Sequence, residues 1–307
     1  MKKEFRQITW DDEVMDDCRQ LARLAVREDL SRGHDLTTVA LTAPEELGRA
    51  AIVARQEGVI AGLRAAEVVL DEMQIDACWT PLIQDGARVE RGAVLVEWSG
   101  AARDLLTAER ILLNFLGRLS GVATQTSAYV TAIRGTKARI YDTRKTTPGW
   151  RRLEKYAVHC GGGTNHRTGL FDAVLIKDNH LAFGATSERT SRSPAEAVQQ
   201  ARVFLREMLS ETQFEETIIE VEVDTLSQFH EVLAANPDVV LLDNMTCDQL
   251  REAVVVRDKQ APRVSLEASG GVNLSTVRAI AETGVDRISV GALTHSAVNF
   301  DVSMDWR

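Results

Sequence analysis

Six short apolar runs in the second half of the chain constrain its fold more than any other feature. Each run is rich in β-forming residues, ends in charged, hydroxyl or glycine residues, and alternates with helical patterns. The runs are ARIYDTRKT, DAVLIKDNH, TIIEVEVDTL, DVVLLDNMT, VSLEASGGV and DRISVGALT. This alternation is typical of a parallel sheet. In a closed or nearly closed parallel barrel the carboxyl ends of all strands meet at one mouth, so we expect these polar residues to surround a single ligand.

An open, doubly wound α/β sheet is the alternative, because it also places ligands at strand ends. Such a sheet usually carries a glycine-rich turn after its first strand. Here the glycines follow the last two runs instead, in the segments SGGV and VGAL. We therefore predict an α/β barrel.

The first hundred or so residues predict a second, smaller domain. Strand-like runs separated by glycine turns, with a helix predicted over 62–73, indicate an α+β domain with a mostly antiparallel sheet. The strand-like runs cover 51–54, 58–60, 88–89 and 94–98, after an amphipathic helix over 12–27. A long apolar helical pattern over 104–133 follows and contains Arg110.

Composition and charge exclude several classes of function. No stretch reaches the roughly 18 apolar residues that a spanning helix needs, and the first lysines precede no apolar leader segment. The four cysteines lie far apart, without the spacing of a zinc or disulfide framework. The net charge of −9 opposes a general role in binding nucleic acid or anionic membranes. We expect a cytoplasmic protein with reduced cysteines that binds neither nucleic acid nor membrane.

Basic residues are concentrated in one part of this acidic chain. From residue 144 to residue 177 there are seven lysines and arginines against two acids. Such a concentration predicts a pocket for a small, highly charged anion. The residues suited to carboxylates or phosphates are Arg144, Lys145, His166, Arg167 and Lys177. A solvated basic face is the alternative, and it fits poorly because Lys145 and Lys177 are expected directly after apolar strands.

Two glycine-containing segments follow the last two strand-like runs. In barrels, the loops after the seventh and eighth strands commonly bind phosphate, because glycine lets backbone N–H groups approach the oxygens. We predict that a phosphate monoester is held by Ser269, Gly270, Gly271, Gly291 and Ala292. A pair of ordinary turns is the alternative, which the repeated placement after adjacent strands makes less favourable.

Two carboxylates, Glu222 and Asp243, are expected at the same mouth. In an anion-binding site they would be repelled unless a cation or hydroxyl groups lay between them. Mg²⁺ suits this arrangement, since it takes one or two protein carboxylates together with substrate phosphates, and ribose hydroxyls are the other natural partners. A structural ion pair with Lys177 is the alternative.

One block of about forty residues and several shorter segments carry a resemblance to a known family. They are DTRKTTPGWRRLEKYAVHCGGGTNHRTGLFDAVLIKDNHL, IEVEVDTL, VVLLDNM, LEASGGV, ISVGALTHSA and ERILLNFLGRLSGVAT. These segments strongly resemble the quinolinate phosphoribosyltransferases, the nicotinate-nucleotide pyrophosphorylases of NAD biosynthesis. The resemblance extends over essentially the whole chain.

The resemblance implies an α/β fold of two domains. The expected parts are an N-terminal α/β sandwich-like domain (1–116), a C-terminal open, incomplete TIM-like α/β barrel (117–297) and a C-terminal tail (298–307). It also implies a homodimer with shared active sites, in which the N-terminal domain of one subunit caps the barrel of the other. Arg110, which matches the arginine of the family's ER-x-x-LN motif, would then reach the neighbouring subunit's active site.

The resemblance further implies phosphoribosyl transfer from phosphoribosyl pyrophosphate to quinolinate with decarboxylation, using Mg²⁺ and no organic cofactor. Arg144, Lys145, His166, Arg167 and Lys177 would hold the quinolinate carboxylates and part of the pyrophosphate. Glu222 and Asp243 would face the ribose hydroxyls and Mg²⁺, while Ser269, Gly270, Gly271, Gly291, Ala292 and His295 would take the phosphates. Lys145, Lys177, Glu222 and Asp243 are the expected catalytic residues. Trp150 stands where a smaller aliphatic residue is expected, and the segment 184–193 looks variable.

Two other classes of function stay open. A Schiff-base aldolase or lyase would use Lys177 as its nucleophile, which requires that lysine to be desolvated or beside another cation. A non-catalytic sensor of a phosphorylated ligand could keep the glycine segments but would have little need for Arg144–Lys145 and His166–Arg167. Within the family, a transferase acting on another pyridine or a metal-linked substrate is the nearest alternative.

Overall fold

The computed structural model describes residues 2–183 and 192–307. Most of the segment that looks variable in sequence, 184–193, therefore lies outside the described residues. Numbered along the chain, the strands are β1 (Leu47–Ala54), β2 (Gly58–Val59), β3 (Ala77–Pro81), β4 (Arg88–Val89), β5 (Val94–Ala101), β6 (Arg139–Tyr141), β7 (Ala173–Ile176), β8 (Ile218–Val223), β9 (Val239–Asp243), β10 (Ser265–Ser269), β11 (Arg287–Ser289) and β12 (Val302–Trp306).

Helices make up the other regular elements. They are α1 (Asp12–Leu30), α2 (Leu36–Leu41), α3 (Leu63–Glu72), α4 (Ala102–Ala132), α5 (Arg151–Cys160), α6 (Asp178–Ala182), α7 (Pro194–Met208), α8 (Glu211–Glu216), α9 (Leu226–Leu233), α10 (Cys247–Gln260), α11 (Val277–Ala281) and α12 (Ala292–His295). The described helices include none with the length and apolar character needed to cross a membrane.

The chain forms two compact units. The barrel unit contains Met1–Arg6, Tyr129–Arg144 and Thr164–Gly291, and the sandwich unit contains Gln7–Ala128, Lys145–Gly163 and Ala292–Arg307. The division therefore separates Arg144 from Lys145 and Gly291 from Ala292, which are neighbours in sequence.

The barrel unit has one parallel sheet of six strands in the order β6-β11-β10-β9-β8-β7. From β7 to β11 each strand pairs with the next in sequence, and β6 joins the far side of β11. This cyclic order is that of a barrel, because a doubly wound sheet reverses its order at a switch point. Strands β6 and β7 form the two edges, so the barrel is open. The predicted α/β fold with an open barrel is confirmed.

The helices of the barrel unit begin where the sequence supplies caps. Ser193, Thr225 and Thr246 each accept a hydrogen bond from the backbone N–H three residues later, and a Glu or Gln at that position closes a capping box. Apolar strand residues pack in the core, where Val221, Val240 and Leu266 are fully buried. The caps at Thr225 and Thr246 fix where the loops after β8 and β9 end and the next helices begin.

The sandwich unit contains an antiparallel sheet with the strand order β12-β1-β5-β3 and a small pair, β2-β4. The predicted antiparallel sheet is confirmed, but two of its strands were not anticipated. Strand β3 has a mostly exposed pattern that gives little apolar signal. The segment 298–307, expected as a C-terminal tail, contains β12, which pairs with β1 from Ala50↔Trp306 to Ala54↔Val302. Only a partner about 250 positions away makes this segment a strand.

Helix α4 has 31 residues and extends the predicted 104–133 pattern by two residues at its start. Its apolar stripe is buried, including Leu105, Leu112 and Phe115. The ring of Trp150 lies 4.8 Å from that of Phe115 in the same unit. The larger side chain at position 150 is thus accommodated by packing on α4.

Candidate active site

Polar residues gather at the carboxyl edge of the parallel sheet, as predicted. Lys177 directly follows β7, Glu222 is the penultimate residue of β8, and Asp243 and Ser269 end β9 and β10. Gly291 lies two residues after β11, and Arg144 lies three residues after β6. Since all six strands are parallel, their carboxyl ends lie on one side of the sheet. The strand-end residues named here, which are spread from position 144 to position 291 in the sequence, therefore lie at one edge of the sheet.

One expectation about spacing is wrong. Lys145 does not follow a strand directly, because β6 ends at Tyr141 and three residues lie between the two. Asp142, the residue after β6, is fully buried and accepts hydrogen bonds from the Asn165 side chain at 2.7 Å and the His166 backbone N–H at 2.8 Å. A residue that looked like a strand-end ligand in the sequence instead ties down the 164–167 loop.

Lys177 and Glu222 form an ion pair through Nζ and Oε2. The Lys177 side chain is 42% exposed and that of Glu222 12% exposed. Burial raises the pKa of Glu222, Lys177 acts against that change, and Asp243 and Asp178 add to it. The structural ion pair between Lys177 and Glu222, which the sequence left open as an alternative, is thus present. The raised pKa shows that burial, together with the two neighbouring acids, outweighs the effect of Lys177.

Arg144 and Arg167 are two cations of the barrel unit that lie near each other. Arg167 is 7% exposed, and its Nη1 donates to the carbonyl of Ala173 at 3.3 Å. Burial and the nearby Arg144 lower the pKa of Arg167. Two like charges that repel each other at a poorly hydrated position are suited to an anion with several negative oxygens.

His166 lies between two fully buried carboxylates, below the edge that holds Lys177. Its Nε2 is 3.0 Å from Glu220 Oε2 and 3.5 Å from Glu267 Oε1. Burial by itself would lower the pKa of His166, but Glu220 and Glu267 raise it to about 10. Nδ1 accepts from the Arg167 backbone N–H at 2.8 Å, a contact of the neutral ring. Two buried carboxylates outweigh one such contact, so we assign a positive charge to His166.

Among the described residues, His166, Glu220 and Glu267 form a group whose ligand atoms could hold a metal ion. These atoms lie within 4.8 Å of one another. A fully buried arginine, Arg287, contributes further positive charge and lowers the pKa of Glu267 together with His166. His166 and Arg287 oppose the negative charge of the two carboxylates. We therefore interpret the group as an ion-pair network.

The first residues of the chain complete this buried layer. The Phe5 ring lies 4.3 Å from that of His166, and the Arg287 guanidinium lies 5.3 Å from the Phe5 ring centroid. Arg287 also donates to the carbonyl of Lys3 at 2.7 Å. Sequence reasoning missed Phe5, Glu220 and Arg287. The available signal was a charged residue inside an otherwise apolar strand, as for Glu220 in IIEVEV and Arg287 in RIS.

Four predicted site residues belong to the sandwich unit. Arg110 is exposed on α4, while Ala292 and His295 begin and end α12. The Thr294 hydroxyl donates to the carbonyl of Lys145 at 2.7 Å, so the structure brings Lys145 next to α12. The ring of His295 lies 2.7 Å from the Ser296 hydroxyl. The roles expected of these four residues stay predictions.

Comparison with known families adds an independent observation. Residues 35–120 match the model of the quinolinate phosphoribosyl transferase N-terminal domain, and residues 122–305 match that of the C-terminal domain. The chain belongs to the quinolinate phosphoribosyltransferase family. Both matches follow the chain order expected from the sequence motifs, and together they cover most of its length.

Named members of the quinolinate phosphoribosyltransferase family are similar over nearly the whole chain. A nicotinate-nucleotide pyrophosphorylase (carboxylating) of Mycobacterium leprae is 45% identical, over 94% of this chain and 97% of its own. A quinolinate phosphoribosyltransferase (decarboxylating) of Nicotiana tabacum is 36% identical, over 94% of this chain and 82% of its own.

A solved structure agrees. The nicotinate-nucleotide pyrophosphorylase from Francisella tularensis superposes with a TM-score of 0.87 at 36% identity, over 99% of this chain and 100% of that one. The family's two-domain fold is therefore present in this chain from end to end.

Proposed function

We propose that this chain transfers the phosphoribosyl group of phosphoribosyl pyrophosphate to the ring nitrogen of quinolinate. The 2-carboxylate is lost as CO₂, and the products are nicotinate mononucleotide and pyrophosphate, a step of NAD biosynthesis. The names of similar proteins describe this reaction in its two directions. The observation that supports the proposal is the convergence of Arg144, Lys177 and the 269–271 glycine segment on one edge of a parallel sheet, with Arg167 near Arg144.

Quinolinate carries two carboxylates, and Arg144 and Arg167 match that charge. Arginine presents a planar fork that binds a carboxylate through two hydrogen bonds. The lowered pKa of Arg167, caused by burial and by Arg144, supports a role in binding an anion there. Lys145 is proposed to assist in holding the two polyanions, and His166 to support this site from the buried layer through its contact with the Arg167 backbone.

Glu222 and Asp243 fit the ribose hydroxyls and a Mg²⁺ ion bound with phosphoribosyl pyrophosphate. The fit rests on their oxygen donors and on the raised pKa of Glu222, to which Asp243 contributes, because a cation would relieve that repulsion. When bound, Mg²⁺ would neutralise charge on the departing pyrophosphate. Ser269, Gly270, Gly271, Gly291, Ala292 and His295 are proposed to bind the phosphates. No organic cofactor is required.

Breaking the bond between the anomeric carbon and pyrophosphate generates an oxocarbenium-like state. The leaving group gains negative charge, and Lys177 and Lys145 are proposed to stabilise it. The ring nitrogen of quinolinate then bonds to the anomeric carbon. In the resulting pyridinium, loss of CO₂ leaves the electron pair of the broken C–C bond on ring carbon 2, where the adjacent positive nitrogen stabilises the carbanion. A proton from solvent then takes the place of CO₂ and gives nicotinate mononucleotide. Holding two mutually repulsive polyanions in reactive geometry can contribute up to about 7–11 kcal/mol, so positioning by the cations is the main contribution.

A second copy of the chain is proposed to complete the site. Arg110 is exposed on α4, as a residue reaching a neighbouring subunit would be. The proposal is a cytoplasmic homodimer in which the region 1–116 of one subunit caps the barrel of the other.

A Schiff-base mechanism is less well supported. A nucleophilic lysine must lose its proton, yet Lys177 is paired with the Glu222 carboxylate, which favours the protonated ammonium. A sensor of a phosphorylated ligand would have little need for the neighbouring Arg144 and Arg167 in the barrel unit.

The test is an assay of the purified protein with quinolinate, phosphoribosyl pyrophosphate and Mg²⁺. Nicotinate mononucleotide is quantified by chromatography, and CO₂ is followed from quinolinate labelled in its 2-carboxylate. Equal amounts of both products are expected. Nicotinate replaces quinolinate as the control and should give no turnover. Turnover with nicotinate alone, or product without CO₂, would contradict the proposal.

A further inference from the structure

Asn244 follows Asp243 at the carboxyl end of β9 and has an unusual backbone. Its φ is +53°, in the left-handed region that few residues other than glycine adopt. Asparagine tolerates this region better than most residues because its short polar side chain can bond locally. The segment LLDNM thus places a residue with both a left-handed backbone and an amide side chain at the predicted mouth.

Two hydrogen bonds of Asn244 connect neighbouring strand ends. Its backbone N–H donates to the carbonyl of Ser269 at 2.9 Å, which links the end of β9 to the end of β10. Its side-chain Nδ2 donates to Asp243 Oδ2 at 2.6 Å. A hydrogen bond to a carboxylate is stronger than one between neutral groups and restricts the rotation of the acid.

The Asn244 side chain also occupies the space beside Gly270. A Cβ atom at position 270 would lie 2.1 Å from Asn244 Oδ1 and 2.9 Å from Asn244 N. Gly270 itself has a φ of +93°. Glycine is therefore needed at position 270 for two reasons, its backbone conformation and the close approach of Asn244.

We propose that Asn244 is a positioning residue for the phosphoribosyl pyrophosphate half of the site. It holds the Asp243 carboxylate in one orientation and sets the path of the 269–271 loop, so that the groups assigned to the ribose hydroxyls and to phosphate keep a fixed separation. This inference rests on the proposed function and adds a residue to it. Asn244 acts through Asp243 and Gly270.

The test compares Asn244→Gly with Asn236→Gly. Glycine adopts the left-handed backbone at no steric cost, so Asn244→Gly keeps the turn and removes only the side chain. Asn236 is the matched control, since it has a φ of +51° and lies before the other end of β9. For Asn244→Gly we expect the KM for phosphoribosyl pyrophosphate to rise about tenfold, the effect of losing a hydrogen bond to a charged group. The KM for quinolinate should be nearly unchanged, and Asn236→Gly should change neither value.

A second variant, Asn244→Asp, separates the amide from the shape of the side chain. It is nearly isosteric but loses the donor and puts a second negative charge beside Asp243, so it should impair phosphoribosyl pyrophosphate binding at least as much as Asn244→Gly. Calorimetry with phosphoribosyl pyrophosphate and Mg²⁺ supplies a readout that does not need turnover. It should show the same ranking.

Wild-type kinetics in Asn244→Gly would overturn the inference and assign Asn244 a role in the turn alone. Equal increases in both KM values, with a fall in Tm shared by Asn236→Gly, would also overturn it, because they indicate a loosened fold. If the wild-type protein binds phosphoribosyl pyrophosphate but does not turn over quinolinate, the proposed reaction is wrong, and the binding ranking still decides the role of Asn244.

Discussion

Two carboxylates of the barrel unit have pKa values that are shifted in opposite directions. Glu222, at the strand-end edge, has a raised pKa because burial and neighbouring acids outweigh its pair with Lys177. For Glu267, in the layer below, burial alone would also raise the pKa, but His166, Arg287 and the Ser289 hydroxyl lower it. In the buried layer the protein's own cations outweigh burial, whereas at the edge burial and neighbouring acids outweigh Lys177.

Two glutamates of strand β8 also differ in their burial and in their cationic partners. Glu220 and Glu222 are two positions apart in β8, so their side chains lie on the same face of the strand. Glu220 is fully buried against His166, while Glu222 lies near the end of the strand against a partly exposed lysine. Glu220 belongs to the buried ion-pair network and Glu222 to the strand-end edge, and the variants below test whether the two positions differ in their effects on stability and activity.

The largest expected effect on stability is that of His166→Ala. Removal of the imidazole leaves Glu220 and Glu267 buried without their nearest cation, and breaking a buried pair in this way costs about 3–5 kcal/mol. Urea unfolding at pH 7 measures the loss. His230→Ala, at an exposed position on α9, is the control and should change stability little.

The pH dependence of this stability loss tests whether the charge of His166 is its cause. Because the folded pKa of His166 is raised to about 10, its contribution is fully present below the unfolded pKa and disappears as the pH rises towards 10. The difference between wild type and His166→Ala should therefore shrink between pH 7 and pH 10. A difference that stays constant over this range would show that packing against Phe5, and not charge, is responsible.

Among the variants at the strand-end edge, Lys177→Ala is expected to have the largest effect on activity. Loss of a preorganised group that stabilises developing charge lowers kcat by about 10²–10³-fold. Stability should change by less than about 1 kcal/mol, because the Lys177 side chain is 42% exposed. Steady-state kinetics and thermal unfolding of the same preparation measure both quantities.

Lys259→Ala, at an exposed position on α10, controls for the loss of a positive charge from the unit. It should keep wild-type turnover. Near-wild-type turnover in Lys177→Ala would contradict the assignment of Lys177 to the site, and an equally large loss in Lys259→Ala would point to net charge instead.

Glu222→Gln should have the smallest effect on stability and in the opposite direction. An acid whose pKa is raised in the folded state disfavours folding above its unfolded pKa, so a neutral amide should leave stability at pH 8 unchanged or raise it by up to about 1 kcal/mol. The difference should vanish near pH 4, where both side chains are neutral. Urea unfolding at the two pH values measures it, and a marked loss of stability at pH 8 would show that the pair with Lys177 supports the fold.

Much of the barrel could be predicted from the sequence because its determinants are local. Apolar strand runs alternate with capped helices, and polar residues follow the strands at Lys177, Asp243 and Ser269. Parallel strands then bring these residues to one edge without any knowledge of side-chain contacts. The position of Asn244 in LLDNM was visible as well, but nothing local marked its left-handed backbone or its approach to Gly270.

Partners that lie far apart in the chain were not predictable in this way. Strand β12 exists because β1 offers an unpaired edge, and Phe5 becomes a core residue because the barrel interior accepts it against His166. Asp142 likewise became a structural anchor for the 164–167 loop once the fold brought Asn165 to it.

The sequence by itself determined the class of fold, the order of its elements and the identity of the charged groups at the strand ends, since local propensity and periodicity encode these. The tertiary structure decided how each of those charges is used. Whether cations outweigh burial, as at Glu267, or burial and neighbouring acids outweigh a paired cation, as at Glu222, depends on which groups folding brings near.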